Sequence, residues 1–129
     1  MRIYIAASIH DAPRAKAFAG ALEAFGHTIG HRWFDEPLVE CGDSMLTPEQ
    51  RAAVKRACYI GVTTSDLFVA LLSDWEQRGS HTEFGIALAN QIPARLVGSY
   101  EQIRESAMYE GEKASSCDVQ ALSDIGVAR

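Results

Sequence analysis

Two carboxylates, Asp66 and Glu83, and a tyrosine, Tyr4, have types and positions suited to chemistry. Glu83 follows Gly79-Ser80-His81-Thr82, between an apolar run and a helical pattern. A carboxylate at such a strand-to-helix junction sits beside unpaired backbone N–H groups and the positive end of the helix dipole, which favours its ionised, nucleophilic form. Asp66 opens the preceding apolar run, Leu67 to Leu72. If both side chains enter one crevice, they form two carboxylates with different tasks, a nucleophile and a proton handler. Tyr4 lies in the first apolar run; its hydroxyl needs a partner when buried, and a crevice carboxylate can supply one.

Each of the three also has a plainer reading. Ser80-x-x-Glu83 matches a capping box, in which Glu83 only hydrogen-bonds back to the N-cap amide, and such boxes are common. An Asp before a strand can end the preceding helix or satisfy nearby amides. A buried aromatic on a strand is more often core than catalytic. Position favours the ligand role for Glu83, because α/β proteins bind ligands in loops at the carboxyl ends of central strands. Gly79 and Gly85 would let backbone and ligand, or helix and sheet, come close.

The elements that must position these residues can be read from periodicity. Ile3 to Ala7 is a short, nearly continuous apolar run, as in a strand covered on both faces. Asp11 is a candidate N-cap with Pro13 in the first turn; Ala15, Phe18, Ala19, Leu22 and Phe25 follow at helical spacing, and Gly26 closes the helix. His27 to Trp33 reads as a second strand, and Phe34 through Ser44 as a polar loop. Thr47-Pro48-Glu49-Gln50 is a strong helix start, with Ala53, Val54, Ala57, Cys58 and Ile60 as the apolar side of that helix. The spacing predicts strands over Leu67–Leu72 and Ala94–Gly98, a helix from about Thr82 to Asn90, and a modest helix over Val119–Ile125. This alternation implies an α/β domain with a parallel sheet, whose crevice gathers the loops 8–13, 33–45 and 73–82.

Other residues on those loops are candidates for holding a ligand. Ser8, Ile9, His10 and Arg14 lie at the first strand-to-helix junction, where helix N–H groups and a cation can receive a phosphate. The signal is weak, because the junction lacks G-x-G-x-x-G glycines and a P-loop Lys. His31 and Trp33 end the expected second strand, where Trp33 could pack as core or stack on a planar base. Gly79 and Ser80 complete the set around Glu83. The four histidines show no metal-site spacing, so no metal centre is expected.

Composition narrows the function classes. With 129 residues and 47% hydrophobic content, the chain is expected to form one domain over 1–129. A formal net charge of −5 with scattered Lys and Arg offers no basic stripe, so polymeric nucleic acid is not an expected partner. No run approaches a membrane span, and no export signal is visible at the start. Cys41, Cys58 and Cys117 fit no disulfide framework and read as reduced thiols, which points to the cytoplasm.

Taken together, Ile3-Tyr4-Ile5-Ala6-Ala7-Ser8-Ile9, Ser65-Asp66-Leu67-Phe68-Val69 and Gly79-Ser80-His81-Thr82-Glu83-Phe84-Gly85-Ile86-Ala87 resemble the signature segments of the nucleoside 2-deoxyribosyltransferase family, which includes the 2′-deoxynucleoside 5′-monophosphate N-glycosidases. The resemblance spans roughly residues 2–98. It implies a flavodoxin-like, three-layer fold with a mostly parallel sheet of four or five strands. Tyr4, Asp66 and Glu83 would then form the active site, with no cofactor and a small-molecule nucleoside or nucleotide as partner. Ser106-Ala107-Met108 is similar to a segment that lends a serine to the neighbouring subunit's phosphate site, so Ser106 becomes a candidate and a homodimer or higher homo-oligomer is implied. Two departures stand out: Ala6-Ala7 replaces a glycine often found after strand one, and little of a fifth strand is visible after Gly98. The implied reaction is a retaining displacement through a glycosyl ester on Glu83, with sugar transfer to water or to a second base. A non-catalytic nucleotide-sensing module and a glycohydrolase of NAD-type dinucleotides are the competing readings.

Overall fold

The first strand, β1 (Arg2–Ala7), has Ile3, Tyr4, Ile5 and Ala6 wholly buried, as its unbroken apolar run requires. In the computed structural model, which describes residues 1–36 and 45–128, helix α1 follows over Ala12–Ala24. Asp11 is its N-cap residue but makes no side-chain cap bond; Pro13 lies in the first turn, and Gly26 takes the positive φ of +91° that lets the chain turn back. Helix α2 (Pro48–Thr63) begins with the expected reciprocal box. The Gln50 N–H donates to Thr47 Oγ1 at 3.2 Å, and the Thr47 N–H donates to Gln50 Oε1 at 2.9 Å.

Strands β2 (Thr28–Ile29), β3 (Leu67–Leu71), β4 (Ala94–Val97) and β5 (Lys113–Ser115) complete one sheet in the order β2-β1-β3-β4-β5. Every pairing is parallel, with Tyr4 beside Phe68 and Ala7 beside Leu71. Helix α3 (Arg78–Ala89) links β3 to β4, and α5 (Asp118–Ile125) closes the described chain. Because the strand order reverses at β1, right-handed crossovers put α1 on one face and α2 and α3 on the other. Accordingly α1 packs with α5, and α2 with α3. The reversal also opens a crevice between β1 and β3 at their carboxyl ends.

Several boundaries differ from the sequence reading, each for a physical reason. The second strand is two residues rather than His27–Trp33. The chain leaves β1 after the Gly30 N–H donates to the Ile3 carbonyl at 2.8 Å, and a 3₁₀ turn over Trp33–Asp35 follows. Trp33 therefore ends no strand. Along α2, Ala53 and Ile60 are exposed and only Gly61 and Val62 are fully buried, because the last turn alone lies close against the sheet. The fifth strand exists, but two of its three residues are exposed, so no apolar run announces it. A short helix α4 (Tyr100–Arg104), capped by Ser99 and Gln102, precedes it. The polar loop expected through Ser44, and Cys41 within it, lie outside the described residues at positions 37–44. Among the described residues no helix is long and apolar enough to cross a membrane.

Candidate active site

Tyr4 and Glu83 meet. The Tyr4 side chain is wholly buried, its ring stacks on Phe68 at 5.9 Å, and its hydroxyl donates to Glu83 Oε2. A cavity of about 350 Å³ opens onto the pair at the carboxyl end of the sheet. Its walls come from the loop after β1 (Ser8, Ile9, His10), from Trp33, from Val54 and Cys58 of α2, and from the segment Glu76 to Gly79.

The position of Glu83 on its helix differs from the capping reading. Helix α3 starts at Arg78 with Gln77 as N-cap, so Ser80 lies in the first turn and Glu83 in the second. Glu83 is therefore not beside the open N–H groups, and the helix terminus does not keep it ionised. Burial instead pushes its carboxyl up to about 7, against which the Tyr4 hydrogen bond pulls downward. Burial likewise raises the Tyr4 phenol well above its ordinary range, with the Glu83 charge adding to the effect, so Tyr4 is a hydrogen-bond donor at neutral pH. The half-ionised carboxyl with a fixed donor can exist as carboxylate nucleophile or as neutral acid within one physiological pH window.

The other candidates separate into those at this cavity and those elsewhere. Ser8 is buried and caps the 3₁₀ turn over Ile9–Asp11 by accepting from the His10 N–H at 3.3 Å. His10 stacks on Trp75 with ring centroids 4.2 Å apart, bridging the loops after β1 and β3. Trp33 is 9% exposed and donates its indole N–H to the Ile5 carbonyl at 2.7 Å, so it packs as core and lines the cavity as well. Gly79 lies on the cavity wall, whereas Ser80 is sealed inside, its Oγ without a partner among the described residues.

Asp66 is not brought to the pair. It is exposed at the amino end of β3, accepts from the Arg2 N–H at 2.7 Å, and lines a different cavity with Met1, Pro93 and Arg95. The short distance along the strand misleads, because a residue before a strand projects from the opposite end of the sheet. Arg14 is committed elsewhere as well. It forms a two-point pair with Asp118, the closest contact 2.5 Å, and donates to the Leu72 carbonyl at 2.8 Å, tying α1 to α5 and the end of β3. Its guanidinium is thereby engaged within the fold rather than turned to the cavity. His31 packs against α2 at Gly61. Ser106 caps the turn over Ala107–Tyr109 and lines an adjoining cavity of about 560 Å³, which shares Glu76, Gln77 and Arg78 with the first but contains neither Tyr4 nor Glu83.

Three contributors escaped the sequence reading. Cys58 faces the pair from α2, where its spacing marked it only as part of an apolar side. Gln77 is buried and donates from Nε2 to the Ser73 carbonyl at 3.2 Å, which leaves Oε1 without a partner among the described residues. Trp75 needs its partner His10 to be noticed, and no local pattern links the two. Among the described residues no cluster of three or more His, Cys, Asp or Glu side chains is placed to hold a metal ion.

No protein-family model matches the sequence, and a sequence comparison with curated proteins finds no match. Solved structures do resemble it. The CMP N-glycosidase BcmB of Clostridium botulinum superposes with a TM-score of 0.60 at 18% identity, covering 97% of this chain and 98% of that one. A 2-deoxyribosyltransferase from Bacillus psychrosaccharolyticus superposes with a TM-score of 0.58 at 19% identity, covering 75% of this chain and 72% of that one. The likeness is one of fold. It places the five-stranded parallel sheet in the flavodoxin-like class, as the resemblance implied.

Proposed function

We propose that this chain cleaves the N-glycosidic bond of a nucleoside or its 5′-monophosphate, using Glu83 as nucleophile. The observation that carries this reading is the bonded Tyr4–Glu83 pair at the floor of a crevice-end cavity. Two enzymes of nucleoside or nucleotide chemistry share the fold, which supports the substrate class.

In the first step a Glu83 carboxylate oxygen bonds to the anomeric carbon while the carbon–nitrogen bond breaks and its electron pair leaves with the base. The base takes up a proton from solvent as it departs, and when water is the acceptor in the second step it returns one to solvent. In the second step water or a second base attacks the same carbon and displaces Glu83, which restores the carboxylate and retains configuration. The Tyr4 hydroxyl holds Oε2 and fixes the carboxylate's direction. Asp66, at the other end of the sheet, is given no part in proton transfer. The exposed indole of Trp75, which stacks on His10 of the cavity wall and lines the adjoining cavity, offers a planar surface suited to an aromatic base.

The test is a panel of nucleosides and 5′-monophosphates, scored for free base by chromatography with and without an added acceptor base. Release that depends on Glu83 supports the reading, and the acceptor separates transfer from hydrolysis. Binding without release, equally tight in Glu83→Gln, would favour a sensing module; nicotinamide release from NAD would redirect the substrate class.

A further inference from the structure

Helix α2 reaches the Tyr4–Glu83 pair through a contact that only glycine permits. A Cβ at Gly61 would lie 2.9 Å from Tyr4 Cε2 and 3.0 Å from Cδ2, so the helix backbone rests directly on the phenol ring. Cys58 is three residues earlier, on the same helix face. Because α2 joins two parallel strands it runs against them, and three residues back is about 4.5 Å nearer the carboxyl end of the sheet, where the Tyr4 hydroxyl points. The cavity wall agrees, since Tyr4, Cys58 and Glu83 all line it. Cys58 and Glu83 also line a second cleft of about 500 Å³ between α2 and α3, so the thiol flanks the pair from the helix side.

We propose that Cys58 is a positioning residue for Glu83 that acts through Tyr4, its S–H donating to the phenol oxygen so that the phenol O–H is held on the Glu83 carboxylate. This inference rests on the reading of Glu83 as the reacting group. A phenol oxygen accepts as well as donates, and its hydrogen is free to rotate unless a neighbour fixes it. A donor at the oxygen leaves one direction for the O–H and polarises it, strengthening the next bond in the chain. Among the described residues, the titratable groups lining the two cavities around the thiol are Lys55 and Arg56 from α2 and Arg78 from α3, with His10 and Glu76 across the cavity; Arg78 is engaged by Glu76 at 2.7 Å.

The deciding measurement is the ionisation of Glu83, read by carbon NMR of its side-chain carboxyl across a pH series without substrate. Losing the thiol donor weakens the Tyr4 bond to the carboxylate, so Cys58→Ala should raise the Glu83 midpoint by about half a pH unit. Cys58→Ser keeps a donor and should restore it. In a Tyr4→Phe background the Cys58→Ala change should have no further effect. An unchanged midpoint in Cys58→Ala, or an equal rise in the Tyr4→Phe background, would overturn the proposal. Turnover is not involved, so a chain that couples Cys58 to Glu83 yet releases no base would sink only the glycosidase reading.

Discussion

The two ends of the sheet treat carboxyl groups in opposite ways. At the amino end, Asp66 is exposed and held by the Arg2 N–H, and Asp124 sits among hydrogen-bond donors, Ser115 first and then Gln120, with the Arg95 charge nearby. Those donors hold Asp124 below the usual carboxylate range. At the carboxyl end, Glu83 is half-buried, has one phenol as its partner and is pushed upward by burial to about 7. The orphaned oxygens of Gln77 and Ser80 lie in the same region. An acid surrounded by donors near water is settled at neutral pH, whereas an acid set back in a crevice with one donor is left undecided between its two states.

The sharpest way to break this contrast is at Glu83 itself. Glu83→Ala is expected to lower base release by at least about 10³-fold, measured by chromatography, because no other carboxylate shares its cavity wall at bonding distance to Tyr4 among the described residues. Next, Tyr4→Phe removes the one bond that pulls the carboxyl down, so the acid limb of the pH–rate profile should move upward and the rate at pH 6 should fall about 10- to 100-fold.

A stability measurement tests the same group without substrate. Glu83 is raised from 4.5 to about 7, so between those values the folded chain holds a proton that the unfolded chain releases. Its contribution to stability is therefore present below about pH 4.5 and lost as the pH rises through about 7. Glu83→Gln, neutral throughout, should match the wild type near pH 4 and exceed it by about 1–3 kcal/mol at pH 8 in urea titrations. The smallest effect is expected at the amino end. Asp66→Ala should leave base release within about twofold and cost at most about 1 kcal/mol, the worth of one exposed hydrogen bond. A large loss of activity there would erase the distinction between the two ends.

The legible parts of the chain were those in which local chemistry decides the conformation. Thr47, Pro48 and Gln50 start α2 as their types demand, and the apolar runs from Ile3 and Leu67 become paired central strands. Ser80-x-x-Glu83 misled because a capping box is only a spacing. Gln77, which no propensity marks as a strong cap, starts the helix instead and turns Ser80 inward. Tyr4 and Glu83 were singled out by the resemblance of their segments, and the structure brings the two side chains together although the helix start was expected four residues later than it lies. Cys58 and Trp75 could not be singled out, since each acquires meaning only from a neighbour distant along the chain: Tyr4 for the one, His10 for the other. Asp66 failed for a related reason. A strand's first residue and the helix after it look adjacent along the sequence, yet they belong to opposite rims of the sheet.

Trp33 has a consequence of another kind. Strand β2 covers only the first residues of β1, and an uncovered row of backbone carbonyls would invite another chain to pair there. The Gly30 N–H takes the Ile3 carbonyl and the Trp33 indole takes that of Ile5, so the open flank of the central strand is closed to intermolecular strand addition by one turn of backbone and one side chain. A residue of the cavity wall is thereby also an edge guard, and Trp33→Leu is expected to leave the Ile5 carbonyl without its indole donor and the chain more prone to self-association.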